Sequence, residues 1–260
     1  MLAPDHWAEV RAELDIWQAK KRPALFWWRD DDATDANAKL QSLLALAENF
    51  ATPVALSAIP AKSTPRLAKL VNKSPVAEIL VHGLRHENHA ARNRVKRELG
   101  GEVTLDAVLL DAATGLRLAR ARFGENCLPV LVPPWNRITA RAVPHLPKLG
   151  FKGLSTWKPR PQKFAAPGLL QVNAHLDVID WRHERVLKSE KVLAGLLLRK
   201  LRWRREKASR MDEPLGLLTH HAYWNGRKEK LMASLLGMLT AHPAVRFVKA
   251  SEAFELNPPA

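Results

Sequence analysis

The sequence predicts an α/β fold, a single barrel of parallel strands, on three observations. Extended apolar runs and helical patterns alternate along all 260 residues. Acidic and imidazole side chains sit where several of those runs end: Arg29-Asp30-Asp31-Asp32, His82-Gly83-Leu84-Arg85-His86 and Leu217-Leu218-Thr219-His220-His221. No internal repeat or low-complexity linker divides the chain, so residues 1–260 read as one domain. An α/β barrel gathers its chemistry at the C-terminal ends of its strands, so one pattern sets the fold and collects the reactive groups.

Taken in order, Ala24-Leu25-Phe26-Trp27-Trp28 reads as a strand ending at the aspartates. A helix follows with Leu40, Leu43, Leu44, Ala47 and Phe50 on one face and Asp35 as its cap. Residues 53–59 form a second strand, and a short helix opens at Ser63-Thr64-Pro65, where proline is tolerated in the first turn. Residues 76–81 form a third strand with His82 at its exit. Residues 93–123 read as mainly helical and stop at Gly124. An apolar run over 128–132 leads into Pro133-Pro134-Trp135-Asn136. A helix runs from Thr139 to Gly150, residues 151–155 are extended, 156–168 are a loop and 169–178 a strand. A basic helix starts near Ser189, a buried strand covers 215–219, a helix lies around 231–239, and 245–248 closes the series. That makes seven or eight strands with helices between them.

Composition narrows the classes. Hydrophobic residues at 47% with 26% charged describe a chain that folds around a core. Cys127 is the single cysteine, which excludes an internal disulfide and any metal site built from several thiolates; a metal would need His, Asp and water. Residues 1–20 carry Asp5, Glu9, Glu13 and Asp15 without a continuous apolar stretch, so neither a secretory signal nor a membrane span is expected and the protein reads as cytoplasmic. Lys and Arg number 41 against 26 Asp and Glu, a net charge of +15 that favours polyanionic partners. The charge is densest over residues 199–210. That segment reads either as a solvated helix face or as a contact for an anionic glycan or membrane surface, with Trp203 among the arginines. No zinc-finger, helix-turn-helix or RNA-recognition pattern accompanies it, so nucleic acid is not an expected partner.

Three adjacent carboxylates at a strand end repel one another unless a cation, Arg29 or solvent relieves them. His82 and His86, four apart, suit a shared metal on a helical turn, and His89 lies close by. His86-Glu87 starts like a zincin motif, but position 90 is alanine, so that reading fails. Trp135 offers a stacking face and Asn136 an amide. His175, Asp177 and Asp180-Trp181 form a further polar set. Strand alternation turns one of His220 and His221 inward.

The ordered set Asp31-Asp32, His82-x-x-x-His86, Pro133-Pro134-Trp135, Asp180-Trp181 and Leu217-Leu218-Thr219-His220 resembles the polysaccharide deacetylases, the NodB-homology or carbohydrate esterase 4 group, over roughly residues 24–250. The resemblance implies a distorted (β/α) barrel of about seven strands. It also implies a divalent metal, commonly zinc with cobalt, nickel or manganese as alternatives, held by Asp32, His82 and His86. By the same resemblance Asp31 is the general base and His220 the general acid, with Asp30-Asp31 as the other register of the pair and His221 as the other histidine. Pro134, Trp135, Asn136, Asp180 and Trp181 fall on the substrate groove. The implied activity is metal-dependent removal of an N-acetyl group from an amino sugar or polysaccharide. The alternatives are a cytoplasmic deacetylase of a nucleotide- or lipid-linked sugar and a non-catalytic barrel that binds glycan or an anionic surface. Three positions depart from the family pattern: Ala33 replaces a glycine, Gly83 replaces a serine or threonine, and Leu131 or Val132 stands where an arginine usually orients the base. Arg29 and Arg137 are the candidates to replace that arginine.

Overall fold

The computed structural model describes residues 5–181, 185–207 and 212–256. Helix α1 (Ala8–Ala19) comes first and turns Val10, Leu14 and Trp17 into the core. There follow β1 (Ala24–Ala33), α2 (Ala38–Asn49), β2 (Val54–Ala58), α3 (Pro65–Val71), β3 (Ala77–Val81), α4 (Leu105–Phe123) and β4 (Cys127–Leu131). The second half contains β5 (Gly153–Leu154), β6 (Phe164–Ala166), β7 (Leu169–Gln171), β8 (Leu176–Asp177), β9 (Ile179–Asp180), β10 (Val186–Leu187), α5 (Glu190–Glu206), β11 (Leu215–Thr219), α6 (Gly226–Thr240), β12 (Val245–Phe247) and α7 (Ala250–Ala253). Among the described residues no helix is long and apolar enough to cross a membrane.

Ten strands form one curled sheet in which β1 lies between β2 and β11, all parallel, and β9 and β10 pair separately as an antiparallel hairpin. The order continues through β3, β4, β5 and β7 on one side and β8 on the other, while β12 pairs with the first residues of β1. β7 and β8 belong to one extended segment that changes partner. Val172 N donates to Leu154 O on one side, and three residues later His175 N donates to Gly216 O on the other. The ring therefore closes through the chain itself, giving seven parallel positions in a distorted (β/α) barrel. The strand read over 169–178 is one pass of the barrel in two pieces, split because each half serves a different neighbour.

Alternation along β1 builds two cores. Trp27 points into the barrel with Ala55, Leu80, Val130, Val132, Leu170 and Val172, and Phe254 beside α7 seals that interior from below. The Trp27 indole donates to Asn173 O at 3.1 Å, and Gly216 makes room for it: a Cβ there would meet Asn173 O at 2.5 Å and Trp27 Nε1 at 2.7 Å. Phe26 and Trp28 point outward into the larger layer between sheet and helices.

Four local expectations are corrected. The helix over 93–123 begins only at Leu105, capped by Thr104, because Gly100 and Gly101 (φ 139° and 86°) hold the preceding chain in a non-helical loop. Asn37, not Asp35, caps α2 by accepting from Leu40 N at 3.0 Å; Asp35 instead accepts from Thr64 Oγ1 at 2.6 Å. The helix over 139–150 shortens to a 3-10 stretch, Val143–Leu149, since Pro144 and Pro147 cannot donate in an α-helix. The 156–168 loop contains β6, which pairs antiparallel with β7.

The basic segment is partly consumed by the fold. Arg205 Nε donates to Glu13 of α1 at 2.6 Å, Arg202 lies 3.6 Å from the same carboxylate, and Arg204 is buried against the Glu213 carbonyl. Arg199, Trp203 and Lys207 stay exposed, and residues 208–210 of that segment lie outside the described residues. Beneath β11, His175 accepts from Gly216 N at Nδ1 (2.9 Å) and sets Nε2 3.3 Å from Glu213. Burial, reinforced by the Arg204 charge, pushes His175 down to about 4. Glu213 is held low because the His175 and Asn173 hydrogen bonds outweigh its burial. Below the ordinary histidine value of 6.5 the unfolded chain binds a proton that the fold refuses, so stability falls as pH drops from about 6.5 towards about 4, and Glu213 adds to the loss below that. In denaturant melts between pH 7 and 4, wild type should lose about 2–3 kcal/mol relative to His175→Asn.

Candidate metal centre

Three backbone devices deliver three donors. A bulge between Asp31 and Ala33 puts Asp32 in the left-handed region (φ 73°) and swings its carboxylate over the barrel mouth. His82 continues β3 directly. His86 returns at φ 59° from the short loop that follows. Asp32 Oδ1 lies 3.2 Å from His82 Nε2 and 3.3 Å from His86 Nε2, and one donor atom from each residue falls within 4.8 Å of the others.

The hydrogen-bond roles define what this cluster needs. His82 Nδ1 lies 2.9 Å from Val132 O, which can only accept, so the ring proton sits on Nδ1 and the Nε2 lone pair faces Asp32. A lone pair and a carboxylate oxygen at 3.2 Å require a positive charge, either a second proton on His82 or a cation. Burial alone would lower His82, but the Asp32 hydrogen bond and the Asp31 and Asp32 charges outweigh it and raise its affinity for a proton. Asp32 is held well below the usual carboxylate range, burial being outweighed by the hydrogen bond and charge of His82 and by the charges of His220 and His86. Two imidazoles and one carboxylate are a donor set suited to a divalent transition metal.

Gly83 and Glu98 explain how the histidine loop is supported. Glu98, 1% exposed, accepts from Leu84 N at 3.2 Å and Arg85 N at 2.6 Å. A Cβ on Gly83 (φ 60°) would lie 1.9 Å from the Glu98 carboxylate and 2.7 Å from Pro134. The glycine therefore admits the carboxylate that binds the loop's backbone N–H groups. Nothing in the sequence near His82 announces Glu98, which arrives from an irregular segment twelve residues past His86.

Arg29 is fully buried and faces the same side as Asp31, two residues on. Its Nη2 donates to Asp31 Oδ2 at 3.0 Å and to Asn136 Oδ1 at 2.6 Å, and its Nη1 donates to Ser155 Oγ at 2.8 Å. Arg137 instead donates to Lys96 O. Asp31 is held low: burial would raise it, but Arg29 first, then His82 and His220, outweigh that. Its Oδ1, 3.0 Å from Arg29 Nε but off the donor direction, accepts no hydrogen bond among the described residues. Asp30 points to the other face of the sheet, where its oxygens take Thr219 Oγ1 and His221 Nδ1, both at 2.6 Å.

Alternation also separates the late histidines. His221 follows the helix-facing set Leu215, Leu217 and Thr219, and His220 stands over the mouth. The Trp181 ring packs edge-on against His220 at 4.7 Å, and its indole donates to Asp177 Oδ2 at 2.6 Å. Across the mouth the Trp135 ring lies 4.3 Å from that of His86. Pro134 is buried beneath Gly83, the Asn136 amide oxygen is turned onto Arg29, and Asp180 pairs by backbone with Val186 in a short hairpin. His89 stands apart, its ring on Glu98 O. Asp32, His86, Trp135 and Asn136 are four of the nine described non-glycine residues with positive φ. Backbone strain is thus concentrated at this mouth.

No protein-family model matches the chain, and no curated relative matches it by sequence. Solved structures do. A protein named as a polysaccharide deacetylase from Mycobacterium smegmatis superposes with a TM-score of 0.66 at 16% identity, covering 90% of each chain. A family 4 acetyl xylan esterase from Clostridium thermocellum, solved with a cobalt ion, gives 0.57 at 14%, covering 89% of this chain and 91% of its own. A carbohydrate esterase 4 pseudoenzyme from Bacillus anthracis gives 0.59 at 12%, covering 89% and 66%. The chain thus has the fold of the polysaccharide deacetylases in a highly divergent sequence.

If Glu98 supports the His86 loop, Glu98→Ala should weaken zinc binding about 10–100-fold in a competitive chelator titration. Unchanged affinity would show that the loop holds without it.

Proposed function

We propose that this barrel is a metal-dependent hydrolase that removes an N-acetyl group from an amino sugar or polysaccharide. The carrying observation is the Asp32 oxygen facing two imidazole nitrogens, with the His82 proton committed to Val132 O. Asp32, His82 and His86 would hold the cation, with zinc as the ion that best suits two nitrogens and an oxygen and cobalt, nickel or manganese as alternatives. When bound, such an ion supplies positive charge that polarises an acyl oxygen and makes a water more acidic.

The remaining work falls to the chain's own groups. Asp31 is ionised at neutral pH because Arg29 stabilises its charge, and its carboxylate would take the proton of an attacking water. As water oxygen bonds to the acyl carbon, the carbon–nitrogen bond breaks and the departing amine needs a proton. His220, over the mouth and against Trp181, is the donor in this scheme. Trp135 and Trp181 stand on opposite sides of the cluster as apolar faces for a sugar ring. The resemblance in fold to carbohydrate deacetylases and esterases supports the substrate class.

Protein stripped of metal should lose activity on N-acetylglucosamine oligomers and regain it when zinc or cobalt is restored. Asp31→Asn should lower kcat by about 10²–10⁴-fold while still retaining metal. Asp32→Ala with the turnover of the wild type would exclude this centre.

A further inference from the structure

The excess of Lys and Arg is not spread evenly around the mouth. Residues 88–97 contain four of them and residues 126–176 contain seven, with no Asp or Glu in either stretch. β3 and β4 are neighbours in the sheet, so the segments leaving their C-terminal ends share one side of the mouth. Arg137 Nη1 donates to Lys96 O at 3.2 Å and Thr139 N to Leu99 O at 2.8 Å, which ties the two segments together. Six cations collect there: Arg92, Arg94, Lys96, Arg97, Arg137 and Arg141. Other arginines find carboxylates, as Arg85 does in Asp111 and Arg246 in Glu252. None of the six forms an ion pair among the described residues. Glu98 beside them is committed to Leu84 N and Arg85 N. Lys96 is exposed, with Nζ 5.9 Å from the centroid of the Trp135 ring, itself packed against His86. Arg97 and Arg141 line a cavity of about 110 Å³ with Thr139 and Gly100, and the buried Arg97 Nε has no hydrogen-bond partner among the described residues. A buried donor without an acceptor is costly, and a bound oxyanion would satisfy it.

We propose that this side of the mouth is a subsite for acidic groups of the substrate, so that the N-acetylated carbohydrate it takes is an anionic one. The inference rests on the function proposed above and narrows its substrate class. A sugar ring lying on Trp135 would carry its carboxylate or phosphate past the Lys96 ammonium. The guanidinium groups of Arg97 and Arg141 can each grip an oxyanion by two N–H donors. The carboxylates of the mouth come from the other side, Asp31 and Asp32 from β1 and Asp177 from β8, and so leave this side positive. The cations of α5 lack such an arrangement. Arg202 and Arg205 are taken by Glu13, and the exposed Arg199 and Lys207 stand on a helix away from Trp135.

The test measures binding by calorimetry on the full chain supplied with zinc and carrying Asp31→Asn, which should leave the probes intact. An N-acetylglucosamine hexamer is the neutral probe. A hyaluronan hexasaccharide, in which N-acetylglucosamine alternates with glucuronate, supplies carboxylates. UDP-N-acetylglucosamine, compared with free N-acetylglucosamine, supplies phosphates. At least one acidic probe should bind about 10-fold tighter than its neutral counterpart at low salt, and which one does so names the source of the anion. That advantage should shrink in about 0.5 M NaCl. It should also be lost in Lys96→Met/Arg141→Met and persist in Arg199→Met/Lys207→Met, which removes the same charge elsewhere. Equal affinity for acidic and neutral probes would overturn the proposal. So would an advantage that the first pair of substitutions lowers no more than the second, since the attraction would then belong to the basic protein as a whole. Should Lys96→Met/Arg141→Met not fold, Lys96→Gln alone takes its place. Binding is read without turnover, so an acidic preference without deacetylation would count against the proposed function alone. Deacetylation of the neutral hexamer by a protein with no acidic preference would count against this inference alone.

Discussion

Three consecutive carboxylates on a buried strand cannot coexist unless each finds its own cation, and this requirement organises the mouth of the barrel. Strand alternation sends Asp31 inward and Asp30 outward, and the bulge after Asp31 lifts Asp32 away from both. Asp31 meets Arg29, Asp30 meets His221, and Asp32 meets the two imidazoles of the following strand and loop. The repulsion that would unfold an unpaired triplet becomes a device for sorting charge into three environments. Removing Arg29 or His221 would strip a buried carboxylate of its cationic partner, a loss of several kcal/mol.

Support of the site by buried polar side chains is the second theme. The arginine beside Asp31 comes from the same strand, at the spacing of two that keeps both on one face, and Ser155 and Asn136 complete its hydrogen bonds. The loop carrying His86 is held by a carboxylate brought from sequence position 98 into space that only a glycine leaves open. A chain built this way can have the fold of a family whose sequence models it escapes.

Much of this was legible in the sequence because it obeys short-range rules. The β-then-α rhythm, the strand ends at His82 and His220, and the glycine stop at Gly124 follow from periodicity and backbone preference. Arg29 was also within reach, since two residues along a strand share a face. Glu98 was not: its partners lie thirteen and fourteen residues back, across a loop without pattern. Asp35 misled because Asp and Asn two residues apart are equivalent caps until the loop geometry chooses.

The partner change between β7 and β8 has a consequence for the life of the protein in solution. A sheet that closes on itself by covalent continuity presents little unpaired backbone for another molecule to extend. The edge strands β6 and β12 are each three residues long, and Lys163 beside β6 is tied to Glu255 at 2.8 Å. A molecule with a short, charged terminus to its sheet offers a poor template for intermolecular pairing. Resistance to aggregation is therefore written into the same crossing of the chain that completes the ring.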